Sequence, residues 1–236
     1  MAVTPDGRPI AGLLFDKDGT LFGFQATWGD WSEALIAGLL PDAPERQDDL
    51  ATRIGFDRTA RSFRPESPVI AGTIDDAVAL MLPGLPEWSD AGLRAHLIEE
   101  SLAVRPSEAV PLAPLMGRFR AAGLTLGVAT NDAEEAAHAQ FAGIGIAEAF
   151  DFVAGADSGH GAKPGPGPCL AFAAATGLSP GAVVMVGDSL HDLHAGRAAG
   201  MATVAVLTGV ASAEDLAPHA DAVLADIGDL PAWLGL

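Results

Sequence analysis

At 236 residues, with 49% hydrophobic and 19% charged side chains, the chain can bury a sizeable apolar core, which excludes a disordered or extended polymer. Thirty-one acidic against thirteen basic residues give a formal charge of −18, which argues against a general affinity for nucleic acid or an anionic membrane. A small anionic substrate stays open, because a divalent ion bound in a cleft reverses the local sign.

The first residues, Met1 to Gly7, carry no basic stretch followed by an apolar run, and no apolar segment of about eighteen residues occurs without a breaker. A cytoplasmic protein is therefore expected. The single cysteine, Cys169, cannot form an internal disulfide.

The first apolar run, 10–16, has the length of a buried strand and ends in Asp16-Lys17-Asp18-Gly19-Thr20. Open α/β sheets place ligands at such carboxyl ends. In extended backbone, residues i and i+2 project to one side, so Asp16 and Asp18 converge and Lys17 points away. Like charges that close raise one pKa unless a cation neutralises them, which suits an acid catalyst or a shared metal. An ordinary Asp/Gly turn after a strand is the plainer alternative.

The interval 23–107 contains helix-like segments near 31–40, 48–54, 73–82 and 91–104, punctuated by prolines at 41, 44, 65, 68, 83 and 86, with no convincing strand. It reads as a helical insert in a core formed by 1–22 and 108–236. Its arginines, Arg46, Arg53, Arg58, Arg61 and Arg64, are candidates for a clamp on a substrate carboxylate or second phosphate, although solvated helix positions explain most of them. Trp28 and Trp31 either line a cleft or pack within the insert.

Beyond it, strand-like runs at 124–130, 150–155, 182–187 and 203–207 alternate with Ala-rich helical stretches at 133–142, 169–176 and 190–199. This alternation predicts a doubly wound, mainly parallel Rossmann-like α/β core. Thr130, Asn131 and Asp132 end the second core run, and Glu134, three residues after Asn131, completes a capping-box pattern. The same helix start offers free N–H groups to a phosphate, with the Thr130 hydroxyl beside them.

Lys163 precedes a predicted helix in Gly161-Ala162-Lys163-Pro164, in a chain whose thirteen basic residues include only two lysines. An ammonium there would hold a phosphoryl group against a carboxylate. Finally, Gly187-Asp188-Ser189-Leu190-His191-Asp192 follows an apolar run and enters a helix. Asp188 and Asp192, four apart on one helix face, would repel by about 0.2 to 0.5 kcal/mol. A bound Mg²⁺ turns that penalty into a ligand set; the competing reading is helix capping by Asp188 with Asp192 solvated. His191 and His194 beside this motif fit helix packing or exposure better than ligation.

Together, Asp-x-Asp-Gly-Thr, the strand ending in Thr130, Lys163-Pro164 and Gly187-Asp188-Ser189-x-x-Asp192 resemble the haloacid dehalogenase superfamily, in particular its phosphoglycolate-phosphatase-like hydrolases. The resemblance implies that Asp16 attacks phosphorus to give an aspartyl-phosphate, and that Asp18 protonates the leaving alcohol and then activates water. It implies Thr130, the Asn131 backbone and Lys163 as phosphate-binding groups, with Lys163 bridging Asp16 and phosphate. Mg²⁺ would be held by Asp16, the Asp18 carbonyl and Asp188, with Asp192 supporting it directly or through water. The insert 23–107 corresponds to a C1-type cap, since the interval between Thr130 and Lys163 is too short for the larger alternative.

A dehalogenase of the same fold generally lacks the second aspartate, which is present here as Asp18. A phosphonatase needs a cap lysine, which is absent. A sugar phosphomutase shares the core, and a non-catalytic phospho-ligand-binding protein retaining the fold is the alternative of a different class. The expected partner is a small phosphorylated metabolite, neither nucleic acid nor membrane.

Overall fold

The computed structural model describes residues 2–236; Met1, the first residue of the expected core segment 1–22, lies outside them. A small antiparallel pair, β1 (Ala2–Val3) and β2 (Pro9–Ile10), leads into β3 (Gly12–Phe15). There follow α1 (Phe24–Leu39), α2 (Pro44–Arg53), an antiparallel hairpin of β4 (Phe56–Asp57) and β5 (Ser62–Phe63), α3 (Ile74–Met81) and α4 (Asp90–Leu102). The chain then alternates α5 (Leu112–Ala121), β6 (Thr125–Ala129), α6 (Glu134–Gly143), β7 (Phe152–Ala154), α7 (Gly167–Thr176), β8 (Val183–Gly187) and α8 (Leu190–Ala199). It ends with β9 (Ala202–Val206), α9 (Ala213–Leu216), β10 (Ala222–Leu224) and α10 (Leu230–Trp233).

Six strands form one sheet in the order β10-β9-β8-β3-β6-β7, with every pairing parallel. All residues of β3, β8 and β9 are buried, as expected for strands covered on both faces. Period-2 alternation divides them between two apolar layers: Leu13, Phe15, Val184 and Val186 pack on one side, and Leu14, Val183 and Met185 on the other. Gly127 in β6 is the residue the second layer allows, because a Cβ there would lie 2.6 Å from the Phe172 ring. The fold is the doubly wound α/β core that the sequence implied.

The chain between β3 and α5 builds a separate apolar cluster, with Ile36, Leu50, Phe56, Val78, Leu85 and Leu93 at its centre. Each such side chain contributes about 1.5 to 3 kcal/mol by leaving water. Two departures from the expected pattern occur here. First, α1 begins seven residues before the expected 31, without a side-chain cap; Gly23 N–H instead donates to Ser107 O at 2.9 Å, and Ser107 N–H donates to Thr27 Oγ1 at 3.0 Å. These bonds stitch the outgoing and returning chain together and fix the start of α1 from outside the helix. Second, the hairpin β4–β5 stands where no strand was expected. It packs on α1 so closely that a Cβ at Gly29 would collide with Arg61 O. No helix among the described residues is long and apolar enough to cross a membrane.

Candidate active site

The carboxyl ends of three adjacent strands, β8, β3 and β6, deliver Asp188, Asp16 and Thr130 to one place. Gly187 closes β8, and Ser189 caps α8: Asp192 Oδ2 accepts from the Ser189 N–H at 3.0 Å and from its hydroxyl at 2.6 Å. The capping acid is therefore Asp192, buried rather than solvated, and Asp188 lies outside the helix rather than on its face. This corrects the shared helix face and the cap assigned to Asp188, and leaves the two acids together as candidate ligands.

Asp16, Asp188 and Asp192 each place a carboxylate oxygen so that the three lie within 4.8 Å of one another, all buried. Lys163 Nζ donates to Asp16 Oδ1 and Asp192 Oδ1, at 2.6 Å each. Thr20 Oγ1 donates to Asp188 Oδ1 at 3.2 Å. A Cβ at Gly19 or Gly209 would run into the Asp188 carboxylate, so the chain can close around it only with glycine at both positions.

Three acids against one ammonium leave this cluster short of positive charge. Burial, partly offset by Lys163 and reinforced by Asp192 and Asp18, pushes the Asp16 carboxyl up to about 7. Burial, followed by repulsion from Asp16 and Asp192, raises Asp188 well above the ordinary carboxylate range. Burial disfavours the charged form of Lys163, but Asp16 and Asp192 outweigh it, so its pKa is raised and it stays an ammonium. A hard divalent cation with oxygen ligands matches the donors and the missing charge. Asp18 contributes no carboxylate oxygen to this group.

Asp18 instead belongs to a second network. Lys17, expected to point away, is fully buried and doubles back, with its Nζ 2.6 Å from Asp18 Oδ2, 3.0 Å from Asp132 Oδ2 and 2.7 Å from Gln140 Oε1. The apolar surroundings explain the turn: an ammonium buried beside Phe22 and Trp28 must find carboxylates. Burial lowers the Lys17 pKa, but Asp18 and Asp132 overcome it and the net direction is upward. Asp18 Oδ1 accepts from the Trp28 indole N–H at 2.8 Å, so both its oxygens are held. Burial raises the Asp18 pKa in spite of Lys17.

The Thr130 backbone N–H donates to Ala154 O at 2.9 Å, and its Oγ1 accepts from Asp132 N–H at 3.1 Å, which leaves the hydroxyl proton for another partner. The expected capping box at Asn131 is absent: α6 starts after Ala133, and Glu134 N–H donates to Asp157 Oδ1 at 2.9 Å. Asn131 is occupied elsewhere. Its Oδ1 accepts from Lys163 N–H at 2.9 Å, and its Nδ2 donates to Lys163 O at 2.9 Å and to Ala71 O at 2.8 Å. His191 Nδ1 lies 2.9 Å from the same Ala71 carbonyl, whereas His194 pairs with His219. Neither histidine joins the carboxylate group.

Asp16, Asp18, Thr130, Asn131, Lys163, Asp188 and Asp192 thus line one cleft, roofed by residues of 23–107 including Trp28 and Trp31. Sequence reasoning missed Gln140, Asp132 and Ala71. A buried lysine in a chain with two lysines was the available signal for the first two; a backbone carbonyl leaves none.

A family model described as haloacid dehalogenase-like hydrolase matches residues 111–206. The phosphoglycolate phosphatase of Rhodospirillum rubrum is 36% identical over 228 residues, covering 94% of this chain and 90% of that one. The chain belongs to the haloacid dehalogenase-like hydrolases. It is a phosphoric monoester hydrolase of that family. The N-acetylmuramic acid 6-phosphate phosphatase of Pseudomonas aeruginosa is 27% identical over 212 residues, covering 89% of this chain and 87% of its own. Among solved structures, CbbY from Rhodobacter sphaeroides in complex with phosphate superposes with a TM-score of 0.71 at 22% identity, over 96% of this chain and all of the other. That likeness shows the same α/β fold.

Proposed function

We propose that the protein is a Mg²⁺-dependent phosphatase that hydrolyses a small-molecule phosphate monoester through a phosphorylated Asp16. The observation that carries this reading is Lys163 Nζ at 2.6 Å from both Asp16 and Asp192, beside Asp188, at the ends of adjacent parallel strands. Mg²⁺ held by Asp16, Asp188, Asp192 and the Asp18 carbonyl would supply the charge this cluster lacks and reduce the repulsion between carboxylate and phosphate.

An Asp16 oxygen attacks phosphorus, the bond to the alcohol oxygen breaks, and Asp18 gives its proton to that oxygen. Water then attacks the phosphorus of the acyl phosphate, Asp18 takes the water proton, and Asp16 leaves as a carboxylate with release of inorganic phosphate. Thr130 Oγ1–H, the Asn131 backbone N–H and the Lys163 ammonium neutralise the phosphoryl oxygens throughout. Residues 23–107 act as a cap on a core of 1–22 and 108–236, excluding water from the cleft. The names of the relatives bring phosphoglycolate and N-acetylmuramic acid 6-phosphate into the range of substrates to test.

The decisive experiment is acid quenching of the Mg²⁺-loaded protein during turnover, with peptide mass spectrometry. A phosphorylated Asp16 peptide is expected, and its loss together with turnover in Asp16→Asn. Turnover retained in Asp16→Asn would sink the assignment.

A further inference from the structure

The cleft has two unlike linings. Its volume, including the open mouth, is about 1030 Å³. At the reacting end stand five carboxylates, Asp16, Asp18, Asp132, Asp188 and Asp192, against the ammoniums of Lys17 and Lys163. The wall contributed by 23–107 is made by Trp28, whose indole nitrogen reaches Asp18, with Trp31, Val69, Ile70, Ile74 and Leu97. Trp31 packs edge-on to Trp28, with ring centroids 5.0 Å apart.

No arginine or lysine of 23–107 lines this wall. Of the five candidate arginines, four are paired outside it, Arg46 with Glu87, Arg53 with Asp49, Arg58 with Glu33 and Asp48, and Arg61 with Asp30, and the fifth, Arg64, is exposed and does not line the cleft. The polar groups that do reach the wall are mostly committed. Thr73 shares a capping box with Asp76, Ser101 Oγ donates to Ile98 O at 2.7 Å, and the Ala71 carbonyl accepts from Asn131. Ser32 is left as the remaining hydroxyl.

A second anionic group on the substrate would therefore leave water for an apolar wall that no arginine or lysine lines; the imidazole of His191, in the same cleft, has its Nδ1 on the Ala71 carbonyl. An apolar body would gain with every methylene it buried. We propose that the leaving alcohol is uncharged and mainly apolar, an alkyl or aryl alcohol large enough to reach the tryptophan wall, and not a short hydroxy acid. This rests on the phosphatase reading above and specifies the substrate class of the same site.

The test is the specificity series of the Mg²⁺-loaded protein on n-alkyl phosphates from methyl to about octyl, with 2-naphthyl phosphate and phosphoglycolate alongside. Alkyl alcohols leave with nearly equal intrinsic ease, so a slope reports binding in the cleft and not leaving-group chemistry. kcat/KM is expected to rise about fourfold per methylene until the wall is covered, the equivalent of about 0.8 kcal/mol each. The longest members should exceed phosphoglycolate by at least about a hundredfold. Ile70→Ser, with its fold verified by circular dichroism, should flatten the slope; if it does not fold, the wild-type series decides alone.

A flat series, or phosphoglycolate as the best substrate, overturns this inference and leaves the phosphatase intact. A slope with naphthyl phosphate excluded narrows the alcohol to alkyl. No phosphate release from any ester overturns the phosphatase reading and this one with it.

Discussion

The indole nitrogen of Trp28 donates to Asp18 Oδ1 at 2.8 Å, so a side chain of α1 fixes the carboxylate proposed to carry the proton. Hydrogen bonds to charged groups are worth about 1.5 to 3 kcal/mol. Trp28→Phe retains most of the ring surface and removes the donor. It should lower kcat by about tenfold to a hundredfold with a smaller change in KM, measured by steady-state kinetics on one good substrate. An unchanged kcat would show that Asp18 is positioned without it.

Lys17 is buried between Asp18 and Asp132, and its removal leaves two carboxylates facing each other in apolar surroundings. Lys17→Met should cost about 3 to 5 kcal/mol in urea unfolding. Arg61→Ala, which breaks the exposed pair with Asp30, should cost no more than about 1 kcal/mol. Similar losses for the two variants would mean that the buried network contributes nothing special.

Asp16 is raised to about 7, and Asp188 is also raised, so both bind protons more tightly in the fold than in the open chain. For Asp16 stability falls as pH rises from the unfolded value, near 4, through the folded one, about 7, and Asp188 acts in the same direction. Metal-free protein should accordingly melt at a lower temperature near pH 8 than near pH 6. Mg²⁺ competes with the same protons, so its binding should tighten over that interval and release protons, seen by calorimetry in buffers of different ionisation heat. Asp188→Asn should weaken Mg²⁺ binding and reduce the pH dependence of the metal-free melt.

Asn131 grips the Lys163 backbone from both sides and reaches Ala71 as well. Asn131→Ala leaves a buried donor and acceptor of Lys163 unmatched, which should cost about 1 to 3 kcal/mol of stability. Displacement of Lys163 should lower kcat with it. Thermal unfolding and kinetics on the same preparation would check both.

Much of the core was legible because its physics is local. Residues 190–199 were expected to be helical and α8 has those limits; the runs ending at Asp16, Thr130 and Gly187 are strands to within a residue or two. Each is a buried parallel strand written as a continuous apolar run. The β10 strand was not read, because its three half-buried residues bear no periodicity. Neither was α5, whose N-cap is a proline without a side-chain cap. The first seven residues of α1 depend on Ser107, which bonds Thr27 from 80 positions away, and no window of sequence contains that contact.

The candidate site divides the same way. Its carboxylates, threonine and Lys163 were readable from strand ends. Lys17 was misread because alternation describes an extended strand, and β3 has already ended at Phe15. The capping box expected at Asn131 failed because its amide is committed to Lys163 and Ala71, a tertiary demand that overrides a local motif.

The hydrogen bonds joining Gly23 and Thr27 to Ser107 bring the two ends of the intervening segment side by side, and Phe22 already bridges to Glu108 in antiparallel fashion. Excision of 23–107 would therefore leave termini that a tight turn can rejoin, with the strand order of the sheet untouched. Any segment grafted there from a relative would have to bring its own partners for Asp18 and Asn131, since Trp28 and Ala71 supply them here.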